Sequence, residues 1–215
     1  MSEDNKMSAI PLRSVAVSLF ILLAFPTSIW PLSAEQKEHI VALHNQYRSS
    51  ANYASNMRRM VRRRWDTRLE KMARKHAQKC IWESGINNYS TVGENMHLNK
   101  CNLNIEKAIQ VWYKEIDNYA FDSMKCFNKK KCGHYRQVVW AKSERIGCSF
   151  KYCEEVNGLK AQYGNLLVCK YAPRGDLIGQ KPYHLGTPCS QCPRELKCRD
   201  NLCSKYLFLL TFILN

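Results

Sequence analysis

Apolar positions in this chain recur first at helical spacing and later in alternation. In "EQKEHIVALHNQYRSS", Ile40, Leu43, His44 and Tyr47 share one face, which predicts an amphipathic helix over 35–49, with Ser33 and Gln36 as a capping box. Asp66 is a suitable N-cap for a second helix, where Leu69, Met72, Ala73, His76, Ala77 and Cys80 follow the i, i+3, i+4, i+7 stripe. This pattern reads His76, like His44, as a core residue. A third helix begins after Asn104, with Ile105, Ala108, Val111, Trp112, Ile116 and Tyr119 as its apolar face. Glu115 falls on that face, where a carboxylate is costly unless it is paired, protonated or lining a cavity. His134 is its first candidate partner.

From His134 the period changes. "HYRQVVWA", "IGCSFKY" and "LLVCKYA" alternate and are rich in β-branched and aromatic residues, which predicts three strands of one sheet. Helices followed by strands indicate an α+β fold or a sandwiched sheet. Beyond Tyr171 the chain turns to Pro, Gly and Cys, and "CSQCPRELKCRDNLC" has too few apolar groups for a core of its own, so it needs stapling.

At 215 residues the chain suits one packed domain with a small appendage. Val15 to Phe25 form a short apolar run followed by small residues Ser33 and Ala34, as in a secretory signal peptide over 1–34. The run is too short to span a membrane, and so is the apolar tail over 204–215. Eleven cysteines behind such a leader imply an oxidising compartment and a disulfide framework, with one thiol left over. The formal charge of +15 favours polyanionic partners, and secretion makes these sulfated glycans or anionic lipids rather than nucleic acid.

"VGENMHL" at 92–98, "VWYKEIDNYAF" at 111–121, "GHYRQVVWA" at 133–141, "IGCSFKYC" at 146–153 and "LLVCKYAPRGDLIG" at 166–179 stand in one order. This set resembles the CAP superfamily of cysteine-rich secretory, antigen 5 and pathogenesis-related proteins. With the tail "YHLGTPCSQCPRELKCRDNLC" it is most similar to the glioma pathogenesis-related-like and peptidase-inhibitor-15-like branch. The resemblance implies a three-layer α-β-α sandwich over 35–180 and a short disulfide-stapled hinge over 181–203. It also implies a cleft of two histidines and two glutamates that holds zinc in some members. Carried over by motif, Glu94 and Glu115 are the glutamates and His134 is one histidine, while Ser84 stands where the other histidine belongs. Glu94, Glu115 and His134 are therefore the candidate metal ligands, in a tetrad that lacks one member. The implied bridges are Cys80 to Cys153, Cys148 to Cys169, and Cys126 to Cys132. Cys189, Cys192, Cys198 and Cys203 resemble a hinge with two interleaved bridges, a zinc knuckle being the rival reading. Cys101 is left free or intermolecular.

Residues 58–79 are densely basic, and Arg58, Arg59, Arg62, Arg63, Arg64 and Arg68 form a candidate glycan-binding face. Arginine clusters hold sulfate and phosphate through bidentate hydrogen bonds; the alternative is a solvated, solubilising face. Asn88 heads an Asn-Tyr-Ser glycosylation acceptor. Together these readings describe a secreted, non-enzymatic protein that needs no cofactor and binds outside the cell. Its expected partners are heparan sulfate or, by the resemblance, a sterol or fatty acid. The alternatives are a metal-dependent or serine-type hydrolase working from the His134, Glu94 and Glu115 cleft, with Ser84 as its hydroxyl, and a protease inhibitor. Nothing at "WESG" resembles a nucleophile elbow.

Overall fold

The computed structural model describes residues 31–51, 53–60, 65–85, 90–100, 102–159 and 161–205. The apolar leader run, the Arg62–Arg64 triplet, Asn88, Cys101 and nearly all of the apolar tail lie outside the described residues. Pro31–Asn215 falls into one compact unit.

The first helix, α1 (Ala34–Ser49), opens with the expected capping box: Gln36 N–H donates to Ser33 Oγ, and Ser33 N–H donates to Gln36 Oε1. Leu32 is buried in the core just before it. Helix α2 (Thr67–Ala77) is capped by Asp66, whose carboxylate accepts from Arg68 and Leu69 N–H. Its buried face is Leu69, Glu70, Ala73, His76 and Ala77, whereas Met72, expected on that stripe, is exposed. Strand β1 (Gly93–Asn99) follows, an element that alternation did not predict because its buried positions are Gly93, Asn95 and Asn99 rather than apolar side chains. Helix α3 (Ile105–Lys114) starts at its Asn104 cap and gives way to a 3-10 turn, Glu115–Asn118, so Val111 and Ile116 end up exposed.

Two short strands, β2 (Tyr119–Ala120) and β3 (Lys125–Cys126), pair before helix α4 (Gly133–Val138). The stretch "HYRQVV", expected as a strand, is thus helical. Tyr135, Val138 and Val139 are buried at i, i+3 and i+4, so this run fits a helical face as well as a strand. The long strands β4 (Arg145–Val156) and β5 (Ala161–Ala172) form an antiparallel hairpin, and β1 pairs with the free edge of β5. A final hairpin, β6 (Lys197–Arg199) with β7 (Leu202–Ser204), lies in the hinge.

The sheet is the middle of three layers. Leu166 and Val168 pack with Ala73 and Ala77 of α2, while Leu167, Cys169 and Tyr171, of the opposite parity, join the cluster built by α1, α3 and α4. At Gly147, α2 backbone lies so close to the sheet that a Cβ would collide with Asp66 O and Glu70 N. Five disulfides close as the resemblance implied: Cys80–Cys153, Cys126–Cys132, Cys148–Cys169, Cys189–Cys198 and Cys192–Cys203, the last two interleaved. The hinge is sewn to the domain as well as stapled. Arg59 N–H donates to Cys203 O, Cys203 N–H to Met57 O, and the hinge side chains Leu202 and Tyr183 enter the main core.

One side chain holds the loops together. Arg48, fully buried at the end of α1, donates to five carbonyls, those of Arg58, Val138, Trp140, Ala141 and Ser143, at 2.6–3.2 Å. None of these partners is a carboxylate. Burial pulls its pKa down to about 9, which still leaves it charged at neutral pH. Replacing Arg48 with Met strands all five acceptors, each costing on the order of 1 kcal/mol or more, so the variant should lose at least about 3 kcal/mol. Arg48→Lys, with three donors, should fall between. Denaturant midpoints of the disulfide-intact proteins measure both.

Candidate functional site: two closed glutamate pairs and a basic helix face

Glu94 stands on β1 directly opposite Lys170 of β5, on the side of the sheet that faces α2. His76 reaches down from α2 and the loop after α2 brings Ser84 and Gly85 over the carboxylate. Its Oε2 receives His76 Nδ1 at 2.6 Å and Lys170 Nζ at 2.5 Å; its Oε1 receives Gly85 N–H at 2.9 Å and Ser84 Oγ at 3.2 Å. Gly85 is required there, because a Cβ would sit 2.9 Å from His76 Nδ1. Burial by itself would raise the Glu94 pKa, but hydrogen bonds from His76 and Lys170, with the positive charge beside them, outweigh it and hold the carboxyl at about 2.

The second pair lies in the layer on the other side of the sheet. Glu115 Oε1 meets His134 Nδ1 at 2.7 Å, while Oε2 accepts the backbone N–H of His134 at 2.9 Å and of Tyr135 at 3.3 Å. Glu115 therefore caps the first turn of α4 and orients the imidazole together. The His134 ring stacks on Trp112, and its carbonyl accepts from Asn95 Nδ2. His97 of β1 stands near enough that burial first, then the His134 charge, lowers its pKa. His44, read as a core histidine, is one: it donates from Nδ1 to Ile40 O, accepts at Nε2 from Tyr171 Oη, and burial holds its pKa down at about 4.

The four residues carried over by motif are thus brought together two by two, Ser84 with Glu94 and Glu115 with His134. His76, expected in the core, is buried but serves as a partner of Glu94. Lys170 escaped the sequence reading altogether, although its parity with Leu166 and Val168 in "LLVCKYA" is the signal that places a cation on an inward face. Zinc, which the resemblance admits, does not fit this arrangement. The four lone-pair positions of Glu94 are filled by four donors, and Glu94, Glu115 and His134 do not bring three ligand atoms within 4.8 Å of one another. Among the described residues only Cys189, Cys192 and Cys203 do, and their sulfurs are in disulfides. The Ser84 hydroxyl donates to Glu94, whose carboxyl is held at about 2 and is too weak a base to activate it as a nucleophile.

The basic stretch divides in the structure. Arg58 is ion-paired with Glu144 at 3.6 Å and Arg59 with Asp200 at 2.6 Å, so these two anchor loop and hinge rather than standing free for a glycan. Arg68 is exposed, and with Lys71, Lys75 and Lys79 it continues at spacings of three and four residues along the outer face of α2 and the turn after it.

Two outcomes follow from the Glu94 cluster. In titration calorimetry at neutral pH the oxidised protein and Ser84→His should show no zinc binding, whereas a zinc heat that disappears in His134→Ala would restore the ligand reading. Because the folded pKa of Glu94 lies below its ordinary 4.5, its contribution to stability is complete above about pH 4.5 and lost as pH falls through about 2. The stability gap between wild type and Glu94→Gln, read from denaturant midpoints, should therefore narrow across that window and stay constant above it.

Comparison with known proteins places this geometry. The model of the Cysteine-rich secretory protein family (CAP) matches residues 41–171. The chain is 40% identical over 193 residues to Peptidase inhibitor 16 of Bos taurus, covering 86% of this chain and 39% of that one. It is 38% identical over 190 residues to Peptidase inhibitor 15 of Homo sapiens, covering 79% of this chain and 72% of the relative. It spans 34–40% of the length of the Peptidase inhibitor 16 relatives it matches. The crystal structure of Hookworm Platelet Inhibitor superposes with a TM-score of 0.66 at 28% identity, over 82% of this chain and 93% of that one. NaASP2 with Zn2+ does so with a TM-score of 0.63 at 24% identity, over 80% and 97%, a likeness of fold. On the matched span, the identity over most of a relative and the shared α-β-α architecture, the chain belongs to the cysteine-rich secretory protein (CAP) family.

Proposed function

We propose that this protein works outside the cell by binding rather than by catalysis, and that the contact is a sulfated glycan such as heparan sulfate on the outer face of α2. The observation that carries the reading is the row Arg68, Lys71, Lys75 and Lys79, four exposed cations along the outer face of α2 and the turn after it, while the helix's acid, Glu70, is turned inward to Lys37 and Trp65. A row of like charges costs stability in isolation and is repaid when a polyanion covers it. The five disulfides agree with a life in an oxidising compartment. The closed Glu94 and Glu115 pairs speak against a hydrolase, and the relatives' name, peptidase inhibitor, also denotes binding without turnover.

A sterol or fatty acid has a different place to go. An open groove of about 630 Å³ runs between α1 and the hinge, with Val41, Met60 and Leu202 beneath a rim that includes Glu38, Arg59 and Asp200. This groove supports the lipid reading as a separate activity.

The glycan reading is tested on immobilised heparin. Wild type should need clearly more salt for elution than Lys71→Glu/Lys75→Glu, since exposed charge pairing is screened over about 10 Å at 0.1 M salt. Equal elution of the two proteins sinks it.

A further inference from the structure

Next to the α2 row lies a cavity of about 400 Å³. Its floor is Lys170 and His76, whose side chains are only 5% and 9% exposed, and its rim carries Lys75 and Lys79. An ammonium has three N–H donors. Lys170 uses one on Glu94 and has no other partner among the described residues. The His76 ring beside it is held through Nδ1 on Glu94. A nearly buried ammonium with unspent donors is costly, and a ligand that accepts from it removes that cost. One acid, Glu83, stands on the lining and is exposed.

We infer that this cavity is the subsite for one sulfo group of the glycan, held by Lys170 from below and by Lys75 and Lys79 from the rim, with the saccharide continuing along Lys71 and Arg68. The inference rests on the glycan reading above and deepens it. A sulfo group offers three acceptor oxygens and a single charge to converging ammonium donors, a charge-assisted arrangement. From Arg68 to Lys75 the row extends about 10 Å at the helical rise and Lys79 continues it beyond the helix end, so it meets sulfo groups repeated along a chain. A phosphate headgroup in a bilayer would need an apolar wedge beside it, and the exposed large apolar residue of α2 is a single methionine, Met72.

The test is calorimetric titration of the disulfide-intact protein with a heparin-derived tetrasaccharide. Lys79→Gln and Lys170→Met should each weaken binding at least about 10-fold, and Arg68→Gln, outside the cavity, no more than about 3-fold, the difference between converging and exposed charge contacts. Lys170→Met also strips a buried partner from Glu94; if it does not fold, the exposed change Lys79→Gln carries the comparison. Should Lys79→Gln weaken binding no more than Arg68→Gln while wild type binds, the subsite is wrong and the basic face stands. Should wild type neither bind the tetrasaccharide nor stay on heparin, both fall. Binding to phosphatidylserine vesicles but not to the tetrasaccharide, lost in Lys79→Gln, would overturn the glycan in favour of a membrane.

Discussion

Arg48 carries a full charge into the core with no carboxylate to meet it among the described residues, and the loops around it are held by how that charge is solvated. Five carbonyls turn inward to it, one from the segment between α1 and α2 and four from the end of α4 and the loop before β4. A planar guanidinium with five donors can satisfy that many acceptors, whereas an ammonium cannot. The same segment hydrogen-bonds to Cys203 through Arg59 and Met57, so the hinge inherits its place from the arginine. The loops that would otherwise be free to vary are therefore part of the core.

A comparable logic governs Glu94. With serine rather than histidine at position 84, the carboxylate is met by an imidazole from α2, an ammonium from the neighbouring strand, a backbone N–H and a hydroxyl. A carboxylate so fully engaged is a structural tie between strand, helix and loop, and its lowered pKa expresses that engagement rather than chemical readiness. Glu115 does similar work for α4, spending one oxygen on the helix end and the other on His134. The outward side of the first cluster, where Lys170 retains donors, borders a cavity.

Helix α2 shows how one element serves both purposes. Leu69, Ala73 and Ala77 press on the sheet, Glu70 ties back to Lys37 and Trp65, and the remaining face is left to cations. The face that packs is small and close to the strands, as the contact at Gly147 demands; the face that does not pack is free to be charged.

Much of this was determined along the chain by local rules. The three helix starts at Ser33, Asp66 and Asn104 are capping events within a few residues, the β4–β5 hairpin is alternation, and the motif order carried the disulfide pairs and the three-layer fold. What local pattern could not decide was the partner of each polar group, because that depends on which strand lies opposite and which loop lies above. Cross-strand register put Lys170 against Glu94, and the sheet divided Glu94 from Glu115 by placing their layers on opposite faces. Tertiary contacts also made "HYRQVV" a helix, since Glu115 satisfies its first N–H groups and the spacing of Tyr135, Val138 and Val139 suits either period. The sequence by itself determined where cations, thiols and apolar faces fall along the chain; only the tertiary structure decided which cations are spent inside and which remain for a ligand, because pairing is a property of proximity in space.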